Sequence, residues 1–416
     1  MEKDLKIAII GAGVSGLIAA QVLENNGFEP IIYEKTDRVG GRVKTDLMDG
    51  YQLDHGFQVL LDAYPMANKY LDYKDLELQK FLPGAAIYAK GKKVVIGDPL
   101  RKLSLLFPTL TSGIGSLSDK YHILKLNTEL KKKSIEAIFK DTEITTMAYL
   151  KNRGFSDEII SSFFNPFFTG IFLEEELRTS SRMFQFVYKM FGMGNATLPK
   201  AGIGAIPQQL AQNLKRTKII FNTTLESCED GKLLFKDGST KRIDYTIIAT
   251  ESSALVKNMR NQKVQWKSCQ TLYFTVPKNK DSRPLIGLVP KKDSFINNIF
   301  FHNTLSTKNS GPDELLSVTV VKDHNFTESE LITQVKTELQ TACDIKNANY
   351  LKTYNIPKAL PDLTNIAASI SPTETRLTDT LFLAGDYLVN GSLNAAMLSG
   401  ENAALGLLEV AKGKSL

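Results

Sequence analysis

Three glycines near the N-terminus have the spacing of a phosphate-binding turn. Gly11, Gly13 and Gly16 follow a short β-branched run, Lys6 to Ile10, and open a helical pattern. The first glycine makes a tight turn, the second lets a pyrophosphate approach the backbone, and the third lets helix and strand pack closely. The phosphates then meet the positive N-terminal end of the helix. The residues predicted to bind them are Gly11, Gly13, Val14, Ser15 and Gly16.

An acidic residue stands where such a turn needs one. The strand pattern Pro30 to Tyr33 ends in Glu34, roughly twenty residues after the glycines. Its carboxylate can accept hydrogen bonds from an adenosine ribose and disfavours a 2′-phosphate. With Gly27 as the stop of the intervening helix, the segment forms a complete βαβ unit. The pattern therefore predicts a dinucleotide site, and it leaves FAD and NAD as alternatives because both carry the ADP half.

Further segments carry a resemblance that separates these two cofactors. Glu34 to Arg42, EKTDRVGGR, resembles the E-x-x-x-R-x-G-G-R signature of the flavin monoamine oxidase and phytoene desaturase superfamily, with Asp54 to Phe57 as its continuation. Ala384 to Asp386 resembles the A-G-D element of that superfamily. Leu198 to Pro207 is similar to its P-x-G-G-x-x-x-L segment, and Tyr354 to Pro361 is similar to its desaturase-like branch. The resemblance implies FAD as the cofactor. No cysteine lies close to the C-terminal element, so the FAD is predicted to be bound non-covalently.

The resemblance also implies roles for individual residues. Arg38 and Arg42 would neutralise the pyrophosphate, since guanidinium groups match phosphate geometry. The strand near Leu225 would contact adenine through its backbone. Asp386 would accept hydrogen bonds from ribityl hydroxyls, and the amide near Leu393, at a helix N-terminus, would stabilise negative charge on the reduced flavin. The remaining cofactor-binding residues carried over from the motifs are Lys35, Gly41 and Gly385.

The chemistry follows from what accompanies the dinucleotide fingerprint. The chain has one such fingerprint and no C-x-x-C pair, which argues against the pyridine-nucleotide disulfide reductases. In the superfamily that it resembles, the substrate gives a hydride to flavin N5, and oxygen or a quinone then takes the electrons. The hydride transfer mainly requires that the substrate is positioned at the flavin and that water is excluded. No catalytic residue is therefore predicted, and His55 is interpreted as structural.

The resemblance to amine oxidases breaks down at two places. Where those enzymes have an aromatic cage residue and M-E-G over the flavin, this chain has Ser392 to Ala395, and their flavin-side lysine falls near Thr271. A hydrophobic substrate of the polyene, isoprenoid or porphyrinogen type is therefore the leading hypothesis. A flavin amine oxidase and an FAD-containing non-redox isomerase are the alternatives. Five phenylalanines could line an apolar tunnel or simply form core: Phe163, Phe164, Phe167, Phe168 and Phe172.

The order of the strand and helix patterns predicts an α/β fold, a Rossmann-like FAD-binding domain in three chain segments with an inserted α+β substrate domain. Residues 145–182 have a mainly helical pattern. The strand patterns Lys232 to Phe235 and Tyr245 to Ala249 flank Asp237-Gly238, which is interpreted as the turn of a hairpin that rejoins the sheet. The predicted boundaries are 1–75, 200–260 and 365–416 for the FAD-binding domain and 76–199 and 261–364 for the substrate domain.

Composition restricts the partners and the location. A net charge of +6 over 416 residues is small and diffuse, and no nucleic-acid recognition motif is present. The three cysteines are far apart, so we expect a reducing, cytoplasmic location and neither disulfides nor a metal site. No apolar run reaches the ~20 residues that cross a bilayer. The Leu/Phe-rich stretch Leu103 to Leu110 and the Lys-rich stretch Lys120 to Lys140 could still lie on an anionic membrane, or form an ordinary amphipathic lobe.

Overall fold

A computed structural model describes residues 5–89, 92–98, 101–106, 109, 112–278 and 283–413. The α-helices of these residues are, in chain order, α1 (Val14–Asn25), α2 (Pro65–Tyr70), α3 (Leu117–Lys132), α4 (Ile135–Phe139), α5 (Thr146–Asn152), α6 (Asp157–Ile159), α7 (Asn165–Phe172), α8 (Ser181–Met193), α9 (Ala205–Gln212), α10 (Glu328–Cys343) and α11 (Leu393–Ala411). The strands are β1 (Ile7–Ile10), β2 (Ile31–Tyr33), β3 (Thr45–Met48), β4 (Tyr51–Asp54), β5 (Leu60–Leu61), β6 (Gln79–Lys80), β7 (Gly84–Ala89), β8 (Lys92–Gly97), β9 (Ala196–Leu198), β10 (Lys218–Ile220), β11 (Leu225–Glu229), β12 (Lys232–Phe235), β13 (Thr240–Arg242), β14 (Tyr245–Ile248), β15 (Trp266–Val276), β16 (Ile286–Leu288), β17 (Ile296–Phe301), β18 (Glu314–Val320), β19 (Asn349–Pro361) and β20 (Leu381–Leu383).

Five strands form a parallel sheet in the order β10-β2-β1-β14-β20. All residues of β1 are buried, as expected of a strand that is covered on both faces. Ile7 and Ile9 pack with helices α1 and α11, while Ala8 and Ile10 pack with the separate sheet β11-β12-β13. The five strands fall within the three segments assigned to the FAD-binding domain, and the domain boundaries themselves stay a prediction.

The turn Asp237-Gly238 was expected to join Lys232 to Phe235 with Tyr245 to Ala249, but it joins β12 with β13. β12 pairs with β13 in an antiparallel hairpin, and both belong to the small sheet with β11. β14 then enters the parallel sheet between β1 and β20. The prediction that this hairpin rejoins the main sheet is wrong. Thr240–Arg242 is exposed along its whole length, so its sequence has no apolar alternation that would reveal a strand.

A seven-stranded mixed sheet, β19-β15-β18-β17-β16-β7-β8, forms the centre of the inserted part of the chain. Side chains alternate between its faces, so Leu316 and Val318 of β18 pack with α10 on one side. Thr319 of the same strand lies on the opposite face, where it lines a cavity. The sheet therefore separates a hydrophobic core from the wall of a binding site.

Helices α3 to α8 form a helical lobe that contacts this sheet through α7 and β17. The helical pattern predicted for residues 145–182 is confirmed, with a π-helical turn, Ile160–Phe164, between α6 and α7. The buried amine of Lys189 in α8 donates to the carbonyls of Leu130 and Lys131, at 2.9 and 3.0 Å, and so caps the C-terminal end of α3. No helix in the described chain combines the length and the apolar content needed to cross a bilayer.

Candidate functional site

One large cavity collects the predicted cofactor-binding residues. Its volume is about 2140 Å³, more than twice the upper end of the ~300–1,000 Å³ that is usual for a small-molecule pocket. It begins at the glycine turn after β1 and continues between the seven-stranded sheet and the helical lobe. Twelve of the thirteen residues predicted from the sequence line it: Gly11, Gly13, Val14, Ser15, Glu34, Lys35, Gly41, Arg42, Leu225, Gly385, Asp386 and Leu393.

The three glycines of the turn have different surroundings. Gly11 has φ +104°, a left-handed conformation that favours glycine. A Cβ on Gly16 would lie 2.1 Å from the carbonyl oxygen of Gly11, so this residue serves the packing of helix on strand and does not line the cavity. A Cβ on Gly13 would meet nothing within 4 Å. Helix α1 starts at this open space without a side-chain cap or an acidic residue in its first turn, so its positive end faces the cavity.

A second pair of glycines, Gly40 and Gly41, lies against the glycine turn. The amide of Gly40 donates to the carbonyl of Ala12 at 2.9 Å, and Gly40 forms a parallel bridge with Gly13. Glu34 is buried after β2, and its carboxylate accepts from the amide of Ala12 at 2.8 Å and from the amide and hydroxyl of Thr36 at 2.9 and 2.8 Å. A carboxylate has about four acceptor positions, so Glu34 retains capacity for a ligand hydroxyl.

Arg42 connects the two motifs that lie farthest apart in the sequence. Its guanidinium forms an ion pair of 2.5 Å with Asp386, which is buried, and lies 5.0 Å from the ring of Trp266. The amine of Lys358 lies 5.8 Å from the same ring. Arg42 therefore holds the Asp386 carboxylate in place at the cavity wall.

Arg38 has a different environment from Arg42. It pairs with Asp46 and does not line the cavity, so it is not positioned to neutralise a pyrophosphate as the resemblance implied. Burial opposes ionisation of Asp46, but hydrogen bonds from Arg38, Tyr354 and His55 outweigh it and lower the pKa of this carboxyl to about 2. His55 contacts Asp46 at 2.8 Å and lines the cavity edge. The contacts of Asp46 with Arg38, His55 and Tyr354 thus join the segment between β2 and β5 to β19.

Asp54, at the end of β4, is a buried carboxyl outside the cavity lining. Burial raises its pKa to about 7, although hydrogen bonds from the hydroxyl of Thr45 at 2.6 Å and the amide of Ile203 at 3.1 Å act in the opposite direction. These contacts join β3 and β4 to the segment that leads into α9. The contribution of Asp54 is therefore structural.

The C-terminal motif starts a long helix at the cavity wall. Ser392 caps α11 by accepting a hydrogen bond from the amide of Ala395 at 3.0 Å. The amides of Leu393 and Asn394 precede the helical hydrogen bonds, and no hydrogen bond found among the described residues uses them. They remain available to a ligand in the cavity.

Beyond the nucleotide cleft, aromatic and aliphatic side chains make up most of the cavity wall. Of the five phenylalanines singled out in the sequence, Phe163, Phe167, Phe168 and Phe172 line this wall. Phe164 is fully buried in the core and does not. The helical lobe thus supplies an apolar chamber adjacent to the nucleotide cleft.

Sequence reasoning missed residues that the seven-stranded sheet brings to the cavity, such as Lys267, Cys269, Asn298 and Thr319. Thr271, where the resemblance placed a lysine, is fully buried and does not line the cavity. Lys267, on the same strand, reaches it. Side chains alternate between the two faces of a strand, but nothing in the sequence of a single strand indicates that its polar face meets a cavity.

The residues present fit an extended dinucleotide. The open space at Gly13, the uncapped start of α1, the spare acceptor capacity of Glu34 and the free amides at the start of α11 lie along one continuous cavity. Within the ranges that the structure describes, no group of three or more His, Cys, Asp or Glu residues could hold a metal ion.

Known proteins share parts of this sequence. Protoporphyrinogen oxidase 2 of Arabidopsis thaliana is 28% identical over 167 residues, which cover 40% of this chain and 32% of that protein. A 4,4′-diapophytoene desaturase of Staphylococcus aureus is 28% identical over 177 residues, which cover 38% of this chain and 35% of that protein. The chain thus spans about a third of the length of these curated relatives.

The fold and the family can be assigned over nearly the whole chain. An engineered putrescine oxidase has a similar structure, with a TM-score of 0.71 and 13% sequence identity over 97% of this chain and 98% of that protein. Residues 14–408 match the family model described as flavin containing amine oxidoreductase. The chain therefore belongs to the family of flavin-containing amine oxidoreductases.

Proposed function

We propose that the chain binds FAD non-covalently and takes a hydride from a hydrophobic substrate of the polyene, isoprenoid or porphyrinogen type. The observation that supports this most is the continuity of the cavity, which runs from the glycine turn into a chamber with apolar walls. Two relatives, the protoporphyrinogen oxidase and the diapophytoene desaturase, are named for such substrates. When bound, FAD would supply the hydride acceptor, N5, and would pass the electrons to oxygen or a quinone.

Residues of the chain would bind and orient the cofactor. The open side of Gly13 and the start of α1 would take the pyrophosphate, and Glu34 would take the adenosine ribose. The backbone of Leu225 would contact adenine. Asp386 would accept hydrogen bonds from ribityl hydroxyls, and the amide of Leu393 would donate to the pyrimidine carbonyl. The apolar chamber would hold the reacting carbon in position and exclude water from it.

Two features favour an apolar substrate over an amine. Ser392, Leu393 and Ala396 line the cavity at the start of α11, and their side chains lack the aromatic face that binds a cation. The ring of Trp266 is already approached by two cationic side chains of the chain itself, Arg42 and Lys358. Amine oxidation is therefore the alternative function that the experiment must exclude.

Non-covalent binding is supported by the state of the cavity thiol. Cys269 lines the cavity, but burial raises the pKa of this thiol to about 11. The nucleophile in thiol chemistry is the thiolate, which is scarce at neutral pH when the pKa is so high. A thioether bond between Cys269 and a flavin is therefore not part of the proposal.

The test is spectroscopic. The absorbance of the purified protein is recorded before and after acid precipitation, followed by anaerobic incubation with panels of polyenes, porphyrinogens and amines. We expect flavin in the supernatant and bleaching by one hydrophobic panel. Bleaching only by amines would establish an amine oxidase instead. Turnover that requires reduced flavin from outside and consumes no electrons would identify a non-redox isomerase, and a protein that cannot bind flavin would refute the proposal.

We also propose that the helical lobe, together with residues 103–106 that precede it, contacts an anionic membrane surface. Five of the nine large apolar side chains exposed in the described chain lie in one stretch. This leucine surface consists of Leu103, Leu106, Leu117, Tyr121 and Leu124. Leu106 and Leu124 also line the cavity, so a substrate dissolved in lipid would meet the chamber there. Lys125, an exposed lysine beside Leu124, would add about 1 kcal/mol of attraction to anionic lipids. Phe107, Pro108 and Leu110 of the predicted stretch lie outside the described residues.

Vesicle sedimentation can test the membrane contact. We expect the protein to sediment with phosphatidylglycerol-containing vesicles and to be released by salt. Leu117→Glu should weaken binding about tenfold or more, because the burial of a leucine in lipid contributes about 1.5–3 kcal/mol. Leu47→Glu is the matched control, since Leu47 is 70% exposed, against 81% for Leu117, but lies outside the leucine surface. Equal loss of binding in both variants, or no binding by the wild type, would contradict the proposal.

A further inference from the structure

A polar row crosses the cavity-facing side of the seven-stranded sheet. Thr319 of β18 stands opposite Thr271 of β15 on one side and opposite Asn298 of β17 on the other. Residues in register on neighbouring strands share a face, so these three side chains lie side by side. All three are less than a tenth exposed, and Asn298 and Thr319 line the cavity.

Asn298 and Thr319 have hydrogen-bond donors that the protein does not use. Asn298 Nδ2 donates to Thr319 Oγ1 at 3.2 Å, and Asn298 Oδ1 accepts from Asn297 Nδ2 at 2.9 Å. A side-chain amide has two N–H donors and a hydroxyl has one O–H donor. One N–H of Asn298 and the hydroxyl proton of Thr319 therefore have no acceptor among the described residues. Buried donors in folded proteins are almost always paired, so an acceptor from outside the chain is expected here.

The surroundings of this pair are apolar. Leu288 of β16 stands opposite Asn298, and the same face continues through Ile87 of β7. Leu288 and Ile87 belong to an apolar cluster against which Phe163 and Phe167 of the helical lobe pack. The polar pair thus borders an apolar part of the cavity wall that is suited to hydrocarbon.

We propose that Asn298 and Thr319 form a polar subsite that binds an uncharged oxygen of an otherwise hydrophobic substrate. This inference rests on the proposed function and narrows it, because it implies a lipid-like molecule that carries a carbonyl or hydroxyl oxygen rather than a pure hydrocarbon. The two unused groups are both donors, so the ligand atom between them is an acceptor. Neither side chain carries a charge, and a carboxylate would call for a cationic partner. Lys267 also lines the cavity, but its amine already pairs with Asp362 at 3.4 Å.

A structural role for the pair makes a different prediction. The hydroxyl of Thr271 is also buried and has no hydrogen-bond partner, but it does not line the cavity. If the polar row served only the packing of the sheet, replacement of Thr271 or Thr319 by the isosteric valine would have similar effects on ligand binding. Thr271→Val is therefore the matched control for Thr319→Val.

The experiment compares two probes on the flavin-loaded protein. Geranylacetone, an acyclic isoprenoid ketone, and the hydrocarbon of the same carbon skeleton are titrated, and binding is followed by the change in flavin absorbance. We expect the wild type to bind the ketone about two- to tenfold more tightly, the usual net effect of one hydrogen bond made by a buried group. Thr319→Val and Asn298→Leu should remove this preference without weakening hydrocarbon binding. Thr271→Val and Thr319→Ser should keep it.

The outcomes distinguish failure of the polar subsite from failure of the hydrophobic substrate. Equal binding of ketone and hydrocarbon by the wild type would overturn the polar subsite and leave the hydrophobic substrate intact. Loss of the preference in Thr271→Val as well as in Thr319→Val would also overturn the subsite. A flavin-loaded wild type that binds neither probe would refute the hydrophobic substrate and the subsite together. Thermal unfolding and flavin content establish that each variant is folded before it is compared.

Discussion

Replacement of Gly13 by alanine tests where a pyrophosphate would bind. A Cβ there meets no protein atom within 4 Å, and the backbone, with φ −72° and ψ 175°, is open to alanine. Alanine caps a helix less well than glycine but lowers the entropy of the unfolded chain, so the free energy of unfolding should change by less than about 1 kcal/mol. An additional methyl group in a close-packed contact costs about 1–3 kcal/mol. FAD affinity should therefore fall by about five- to 140-fold.

Gly16→Ala is the matched control for this variant. Its Cβ would lie 2.1 Å from the carbonyl oxygen of Gly11, and the backbone would have to move to relieve the overlap. We expect the free energy of unfolding to fall by about 1–3 kcal/mol or more in the apoprotein. The two alanines thus separate loss of cofactor from loss of fold, although they lie within one turn of each other.

Both variants can be assayed with the same titration. The chain has a single tryptophan, Trp266, which lines the cavity, so its fluorescence should be quenched as FAD is added to the apoprotein. Urea unfolding of the apoprotein gives the stability of each variant. Wild-type affinity for FAD in Gly13→Ala would refute the placement of the pyrophosphate, and unfolding of Gly13→Ala as easily as Gly16→Ala would refute the open space at Gly13.

Three further outcomes are expected. Asp54 has a pKa raised from 3.8 to about 7 in the folded chain. Its protonated form therefore contributes stability that is complete below about pH 4 and is lost as the pH rises through 7, in total on the order of 4 kcal/mol. Asp54→Asn should abolish this part of the pH dependence in urea unfolding between pH 4 and 7.5, and an unchanged dependence of stability on pH would contradict the prediction. Arg42→Met should lower the free energy of unfolding because it leaves the buried Asp386 carboxylate unpaired. The loss should be only about 1–2 kcal/mol, since the guanidinium is partly solvated. A similar loss of stability in the wild type at high salt would confirm that the effect is electrostatic. Lys189→Met should cost about 1–3 kcal/mol by chemical denaturation, since two carbonyls at the end of α3 lose their donor, and no change would show that water replaces the amine.

The nucleotide-binding part of the fold could be predicted because the residues that form it lie close together in the sequence. The turn from Gly11 to Gly16 and the run from Glu34 to Arg42 each place backbone and charge within a few residues, so type and spacing alone identify them. The apolar strands of the parallel sheet are also recognisable, since strands covered on both faces have continuous apolar runs. The polar strand β13 has no such signal and was missed.

The chamber was less predictable because its wall is built by contacts between distant segments. Arg38 and Arg42 belong to one motif, yet only Arg42 lines the cavity, because Asp46 of the neighbouring strand β3 pairs with Arg38. Asn298 and Thr319 look like ordinary polar positions of alternating strands. Their importance depends on which face of the sheet meets the helical lobe, and that is a property of the tertiary fold.

The parallel sheet has a consequence for the order in which the protein matures. Its strands come from the beginning, the middle and the end of the chain, with β20 at the edge beside β14. Contacts between such distant segments form slowly, because long loops must close before any contact stabilises them. Asp386 and Leu393 follow β20, so a nascent chain whose last strand is still inside the ribosome lacks that side of the cleft. Under the proposed function, FAD would meet a complete cleft only after β20 has docked, and free FAD would draw that docking step toward the native state.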